Sequence, residues 1–275
     1  MTRGRTKKGD EGMKTIKLYF KYLIILLKSQ MQYRGSFWLL ALGQFLVPFS
    51  VFAALYFMFE RFGNIKGWNF FEVALCFAVI NMAFAVTECF ARGFDTFSNL
   101  VVSGDFDRLL VRPRSTFLQV LGSKFEFAKL GRLVQSATVL IWDLVNIQVK
   151  WDFFKIITLI FMIAGGVFIF TGIFILTATL CFWTVQGLEV ANILTDGGRE
   201  MSQYPLSIYR KWVIRFFTFI IPFGCINYLP LMYILERAEE KRILCMISPL
   251  FGILFLVPCL FVWKAGVRHY RSTGS

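Results

Sequence analysis

The residues of this chain that could act on a water-soluble partner are concentrated in one polar stretch, residues 99–126, between long apolar runs. Gly104 and Asp105 predict a turn and a helix N-cap, because an Asp side chain accepts from the first free N–H groups of a helix. A short helix should then cover 106–111 and end before Pro113, which disfavours a helical conformation for the residue before it. The charged residues of this stretch are Asp105, Asp107, Arg108, Arg112, Arg114, Lys124 and Glu126.

The short helix carries Phe106, Leu109 and Leu110 on one face, so it offers an apolar surface rimmed by charge. Ser115 can cap the helix that follows. Two interpretations are open at this point. The stretch is either a solvated turn between two membrane helices or a docking element for a water-soluble partner.

Sequence motifs for phosphate binding and for hydrolysis are missing. There is no G-x-x-x-x-G-K-[ST] run, and Gly122-Ser123-Lys124 lacks the leading glycine. There is also no nucleophile elbow and no H-E-x-x-H motif. The six cysteines form no C-x-x-C pair, and His269 is the one histidine, so no metal site is expected. We therefore expect a chain that is not an enzyme and holds no cofactor, and that takes any energy from a partner or an ion gradient.

Composition indicates a membrane protein, with 57% hydrophobic residues, 17% charged residues and a mean hydropathy of +0.61. A helix needs roughly 20 apolar residues to cross a bilayer. The apolar runs predict an all-α integral membrane protein with no second soluble domain. The six predicted spans lie near 37–59, 70–91, 127–147, 154–182, 212–234 and 244–263.

The distribution of basic residues orients these spans, since Lys and Arg collect on the cytoplasmic side of short loops. With six spans, 23 of the 30 Lys and Arg residues fall on the side of the two termini and 7 on the other. Both termini are therefore predicted to be cytoplasmic. This asymmetry and an anionic inner leaflet account for the net charge of +13, so nucleic-acid binding is not needed to explain it.

The N-terminal region shows no cleavable signal peptide. Residues 1–13 are basic and Gly-rich and are expected to be a disordered tail, with Met13 as an alternative start. Over 14–34 apolar residues recur at helical spacing opposite lysines, which favours an amphipathic helix lying in the membrane interface. The alternative is a tilted start of the first span. We favour the interfacial helix because Arg34-Gly35-Ser36 interrupts the pattern, which leaves 35–275 as the six-span domain.

Several polar residues fall inside the predicted spans, where they either join helices or line a translocation path. These residues are Asn81, Glu88, Arg132, Gln135 and Asn227. Glu88 can pair with Arg92 four residues later. Pro222 and Pro230 should kink the fifth span, because each frees a backbone carbonyl that Asn227 can bond.

A second polar segment, 186–212, follows the fourth span. Residues 188–201 form an imperfect amphipathic helix that should end at Tyr204-Pro205. A second cytoplasmic contact with a partner would use Glu189, Glu200 and Tyr204.

The sequence resembles the permease subunits of bacterial ABC-2-type ATP-binding-cassette transporters, and in particular a poorly characterised six-span branch of them. The resemblance covers the chain from about Met13 to its end. It is carried by Gly-Asp-Phe-Asp-Arg-Leu-Leu-Val-Arg-Pro at 104–113, by Tyr-Pro-Leu-Ser-Ile-Tyr at 204–209, and by Ile-Pro-Phe at 221–223 with Asn-Tyr-Leu-Pro at 227–230. Only about residues 236–242 separate the last two predicted spans, so a large external domain is not expected.

The resemblance implies a function and a set of partners. The loop after the second span of such permeases holds a coupling helix that sits in a cleft of the ATPase. Here this implies coupling roles for Asp105, Phe106, Asp107, Arg108, Leu109, Leu110, Arg112 and Pro113. The helix at 14–34 would be a connector, and two permease chains, alike or different, would pair with two soluble ATPase chains that bind ATP and magnesium.

The expected function is export of a substrate across the bacterial plasma membrane. The alternatives are a stand-alone secondary or passive carrier, and a membrane anchor or assembly protein.

Overall fold

The computed structural model describes residues 19–184, 192–238 and 241–270. The predicted tail at 1–13, and residues 14–18 of the predicted connector helix, lie outside the described residues. The structure is 81% helix and has no strand among the described residues, which confirms the predicted all-α class.

The described residues form a series of α-helices. They are α1 (19–30), α2 (Arg34–Phe62), α3 (Phe70–Phe90), α4 (Arg92–Asp95), α5 (Phe97–Val102), α6 (Asp105–Leu110), α7 (Thr116–Leu121), α8 (Leu130–Asn146), α9 (Phe153–Leu180), α10 (Gly198–Ser202), α11 (Lys211–Phe219), α12 (Phe223–Ile226), α13 (Tyr228–Ile234), α14 (Arg242–Ile247) and α15 (Phe251–His269). Short 3₁₀ turns lie at Met31–Tyr33, Phe127–Lys129, Leu206–Ile208 and Ser248–Leu250, and a π turn lies at Ile193–Gly197.

Four stretches of helix are long and apolar enough to cross a membrane: Tyr19–Phe62, Phe70–Phe90, Phe153–Leu180 and Arg242–His269. A fifth candidate is the pair Lys211–Phe219 and Phe223–Ile234, which is bent by 80°. The helix at the third predicted span, α8, has 17 residues and falls short of the roughly 20 that a span needs. The structure therefore supports a multi-pass bundle, and the number six stays a prediction.

A 3₁₀ turn at Met31–Tyr33 joins α1 to α2, three residues before the predicted interruption, and Tyr19–Phe62 is one apolar stretch, so the interfacial helix stays a prediction. Arg34, Gly35 and Ser36 form the first turn of α2 instead. The position is set by a distant contact, because the side-chain amide of Gln30 accepts from the N–H of Phe127 at 3.1 Å and donates to the carbonyl of Phe125.

The centre of the bundle is α3, which packs against α8, α9 and α2. Its partner α8 turns its polar side inward, with Arg132, Gln135 and Asp143 buried. Its outward side is apolar, with Ile141 and Val145 exposed. Arg132 is paired inside the protein, whereas both carboxylate oxygens of Asp143 have no hydrogen-bond partner among the described residues.

The helices α9 and α15 cross where two glycines face each other. A Cβ on Gly252 would lie 2.4 Å from the carbonyl oxygen of Gly165, and one on Gly165 would lie 2.4 Å from the carbonyl oxygen of Pro249. No side chain larger than hydrogen fits at these distances, so the two backbones are in direct contact.

Two ends of the bundle can now be named. The headpiece, residues 91–126 with α4–α7, lies at one end, together with the last turn of α15. The opposite end is formed by the connections at 63–69, 147–152 and 235–238.

Residues 192–210, which precede α11, run along the bundle. The guanidinium of Arg199 lies 5.0 Å from the ring centroid of Phe84, in the last two turns of α3. Nε1 of Trp68 donates to Oγ of Ser207 at 2.8 Å, and Trp68 precedes the first turn of α3. Between residues 199 and 207 the chain therefore passes from the headpiece half of α3 to the opposite end.

This path changes the interpretation of the next segment. Lys211 begins α11 at the opposite end, the bend at 220–222 lies inside the bundle, and Arg237 returns to the opposite end, where it pairs with Glu72. The ring of Phe223, just after the bend, lies 5.2 Å from that of Phe170. The segment predicted as a span at 212–234 is thus a bent pair of helices that starts and finishes towards the opposite end, and 192–209, here called the crossing, runs from the headpiece half of α3 to that end.

The charge count had placed Arg210 and Lys211 on the side of Arg92, and the structure corrects this, because both follow Ser207 at the opposite end. The crossing is inconspicuous in the sequence because several of its polar groups are bonded to distant parts of the protein. Asn227, for example, donates to the carbonyl of Ser202 rather than to carbonyls freed by the two prolines. Pro222 stands at the bend, and Pro230 lies in the first turn of α13.

Candidate functional site

The headpiece is a folded unit with an aromatic core. Phe97 and Phe106 are fully buried, with ring centroids 4.9 Å apart in an edge-on contact. Phe106 also meets Tyr270 at 5.0 Å, and Phe97 meets Trp263 at 5.1 Å. Since Trp263 belongs to α15 and Tyr270 directly follows it, these contacts fasten the headpiece to the last helix. The stretch is therefore not a solvated turn.

Two details of the predicted docking helix are corrected. Phe106 and Leu109 pack into the core of the headpiece, so they cannot form an exposed anchor face. The N-cap position is held by Gly104 with φ 73°, a left-handed conformation that glycine adopts without steric cost. The carboxylate of Asp105 instead accepts from Oγ of Ser103 at 2.9 Å. Ser115 occupies the N-cap of α7, without a side-chain capping bond.

The exposed surface of the headpiece combines apolar and basic residues. Val111 is 84% exposed, Val102 66% and Leu110 38%. The side-chain amide of Gln119 donates to the carbonyls of Leu109 at 3.0 Å and Arg114 at 3.1 Å, which holds the turn between α6 and α7. We call the set Val102, Arg108, Leu110, Val111, Arg112, Pro113 and Arg114 the exposed headpiece surface.

A buried charge cluster lies where the headpiece joins the bundle. The carboxylate of Glu88 accepts from Nη1 of Arg132 at 2.5 Å and from Nζ of Lys129 at 2.8 Å. The predicted pair with Arg92 is present at 3.5 Å and is the longest of the three. Nη2 of Arg132 also donates to Oε1 of Gln44 at 3.3 Å. The cluster thus joins α2, α3 and α8, and it keeps each buried charge paired.

Arg92 connects this cluster to the headpiece. Its guanidinium pairs with Asp95 and, through Nε, with Oε1 of Glu126 at 3.3 Å. Burial raises the pKa of Asp95 above its ordinary value although Arg92 is adjacent. Burial acts in the same direction on Glu126, but Arg92 and Lys124 lower the pKa of that carboxyl overall. Glu126 is therefore anionic at neutral pH.

The other predicted polar residues do not meet in one site. The amide of Asn81 donates to the carbonyl of Phe77 in its own helix at 2.9 Å. Gln135 is fully buried, and its Nε2 has no partner among the described residues. Asn227 binds Ser202, so these three act at different points of the bundle.

The three residues predicted for a second contact with a partner do not form one site either. Glu189 lies outside the described residues. Glu200 is half exposed and pairs with Arg199 at 2.5 Å. Tyr204 packs against the apolar cluster that contains Trp68, towards the opposite end, so it is not a neighbour of the headpiece.

Sequence reasoning missed Lys129, Gln44 and Gln119 as functional positions. No local pattern marks them, because each makes its decisive contact with a residue at least ten positions away.

A family profile described as "ABC-2 family transporter protein" matches residues 45–274. The match includes the headpiece, the charge cluster apart from Gln44, and the crossing segment. No curated protein and no solved structure matches the chain.

Proposed function

The chain belongs to the ABC-2 family of transporter proteins, and we propose that it is the membrane permease subunit of an ATP-binding-cassette transporter that exports its substrate. Its long apolar helices support a multi-pass membrane protein. ATP and magnesium would bind a separate soluble ATPase, and this chain would contribute binding surfaces and movement rather than chemistry.

The observation that carries the proposal is the exposed headpiece surface. Val102, Leu110 and Val111 form its apolar part, and three arginines border it. Interfaces bind through desolvated apolar centres with polar rims. Phe106 has a different role from the one implied by the sequence, since it makes the headpiece rigid from inside instead of entering the ATPase.

A rigid headpiece can pass movement to the bundle through the charge cluster. Arg92 contacts the headpiece through Asp95 and the core helix α3 through Glu88, which in turn holds Arg132 of α8. A displacement of the headpiece by the ATPase would therefore move α3 and α8 together. We propose this as the coupling route.

The headpiece end is proposed to face the cytoplasm of a bacterial plasma membrane. It retains most of the basic residues after Arg210 and Lys211 are assigned to the opposite end. A second permease chain, alike or different, would supply the other half of the pathway. The outward faces of α2 and α15 are rich in exposed apolar side chains, which suits contact with lipid and with such a chain.

Charge reversal on the headpiece tests the proposal. Arg112→Glu with Arg114→Glu should reduce co-purification of the ATPase about tenfold or more and uncouple ATP hydrolysis from transport, since a lost interface contact of about 1.4 kcal/mol is tenfold in affinity. Arg61→Glu with Lys241→Glu makes the same change in net charge outside the headpiece and should leave binding intact.

Equal ATPase binding by both double variants, at equal membrane levels, would refute the docking assignment. Transport that persists in the absence of any ATPase would instead support a stand-alone carrier.

A further inference from the structure

A cavity of about 450 Å³ opens between the junction of α1 with α2 and the turn Phe127–Lys129 that leads into α8. It lies beside the contact in which Gln30 holds the backbone on both sides of Glu126. The cavity borders the charge cluster, since Gln44 and Lys129 line it, and it shares no residue with the exposed headpiece surface. Its walls carry both charged and apolar side chains, which restricts what could occupy it.

The charged side chains at the cavity are of opposite sign and adjacent. The N–H of Lys129 donates to the carbonyl of Glu126 at 3.0 Å, so the two residues occupy one turn. The contacts of Glu126 with Arg92 and Lys124 are made by Oε1, at 3.3 Å each, so Oε2 is the oxygen offered to a ligand. Nζ of Lys129 gives one of its three N–H groups to Glu88. An anionic acceptor and a cationic donor are thus both available to a ligand.

The remaining wall is apolar and leads towards the surface of the bundle. Phe37 and Leu40 of α2 line it, and Leu40 is 58% exposed. The neighbouring Trp38 and Leu39 are also exposed, on a helix long and apolar enough to cross a membrane. A molecule in the cavity would therefore have its polar part on Glu126 and Lys129 and its apolar part directed to the bilayer.

We propose that this cavity binds a zwitterionic phospholipid with a primary ammonium headgroup. The ammonium donates to Glu126, the phosphate accepts from Lys129, and the first acyl carbons lie along Phe37 and Leu40. A quaternary ammonium has no N–H to donate to Glu126. An anionic headgroup without an ammonium has no N–H cation to donate to Glu126, which keeps only its ion pairs with Arg92 and Lys124. The bound lipid would bridge the α1–α2 junction and the entry to α8, and so support the base of the headpiece.

The test measures lipid binding to the purified chain by native mass spectrometry. Phosphatidylethanolamine, phosphatidylcholine and phosphatidylglycerol with identical acyl chains are titrated separately. We expect the first bound molecule of phosphatidylethanolamine to bind about tenfold more tightly than the first molecule of either other lipid. This is the effect of one charge-assisted hydrogen bond. Soluble phosphoethanolamine at the same concentration should not displace it, because it lacks the acyl chains.

Variants locate the site. Ser36→Trp, which fills the cavity, should abolish the preference, and Leu39→Trp on the lipid-facing side of the same helix should preserve it. Glu126→Gln should reduce the preference for ethanolamine over choline, and it gives a second readout that does not depend on how Ser36→Trp folds.

Equal binding of the three lipids, a preference that survives both Ser36→Trp and Glu126→Gln, or displacement by soluble phosphoethanolamine would each overturn the proposal. No ATPase is present in the assay, so its outcome is independent of the proposed coupling.

Discussion

The ammonium of Lys66 donates a hydrogen bond of 2.8 Å to the carbonyl oxygen of Ile208. One residue before, Ser207 accepts from the indole of Trp68 at the same distance. The connection between α2 and α3 thus holds the chain that has crossed the bundle after α9. This contact places α11 and its basic start at the opposite end from the headpiece.

The first prediction concerns this placement. Single cysteines at Asn64 and Arg210 in a cysteine-free background should react with an impermeant maleimide from the same side of sealed cells. A cysteine at Val111 should react only after the cells are opened. If the Arg210 position behaved like Val111, the crossing at 192–209 would be refuted.

The second prediction separates the inside of the headpiece from its surface. Phe106→Ala should destabilise the headpiece by about 3–5 kcal/mol, because it leaves a cavity among tightly packed rings. Val111→Ala, at an 84% exposed position, should leave the unfolding temperature unchanged while it weakens ATPase binding. Thermal unfolding and co-purification measured on both variants check this. A stable Phe106→Ala chain would contradict the aromatic core.

The third prediction concerns the charge cluster. Glu88→Gln removes the carboxylate that Lys129 and Arg132 share and should cost about 3 kcal/mol or more, since it leaves buried cations without their partner. The matched change Glu60→Gln, at an exposed position of α2, should have little effect. The unfolding temperature in detergent and the yield from membranes are the measurements. Equal values for the two variants would mean that the cluster is not structural.

The fourth prediction follows from the lowered pKa of Glu126. The ordinary pKa of a Glu carboxyl is 4.5, and as the pH falls past it Glu126 takes up a proton in the unfolded chain before it does in the folded one. The carboxylate therefore stabilises the fold above that pH, and the stabilisation is lost as the pH falls further. Glu126→Gln should therefore be less stable than the unmodified chain at neutral pH, and the difference should shrink in acid. Unfolding temperatures over a pH series test this. A difference that stays constant in acid would argue against the ion pairs.

The fifth prediction uses two glycines. Gly252→Ala should disturb the crossing of α9 and α15 and cost about 1–3 kcal/mol, because the added Cβ would meet a backbone carbonyl at 2.4 Å. Gly43→Ala adds the same methyl group in α2, where nothing lies within 4 Å, and should be neutral. Thermal unfolding of the two variants distinguishes them, and equal losses would contradict the close contact.

The long helices were predictable because their signal is local. The runs that predicted spans at 70–91 and 154–182 appear as α3 and α9 with nearly the same limits. The position of the short helix at 106–111 was also within one residue of α6. In each case the signal, an apolar run or a proline that stops the helix, comes from residues that are neighbours in the sequence.

What could not be predicted depends on contacts between distant residues. The apolar face of α6 looked like a docking face because Tyr270, whose ring packs against Phe106, comes more than 150 positions later in the sequence. The crossing at 192–209 contains glycines, a proline and charges that read as a loop. Only Asn227 and the residues before α3 show how its polar groups are bonded inside the bundle.

The inward-turned polar side of α8 has a consequence for biosynthesis. A nascent helix of 17 residues with Arg132 and Asp143 on one side would be costly to release into lipid alone, because charged groups in hydrocarbon carry a penalty of several kcal/mol. Glu88 of α3 emerges from the ribosome about 40 residues earlier and supplies the partner for Arg132. We therefore expect α3 and α8 to leave the insertion machinery as a pair, with Glu88 and Arg132 already in contact.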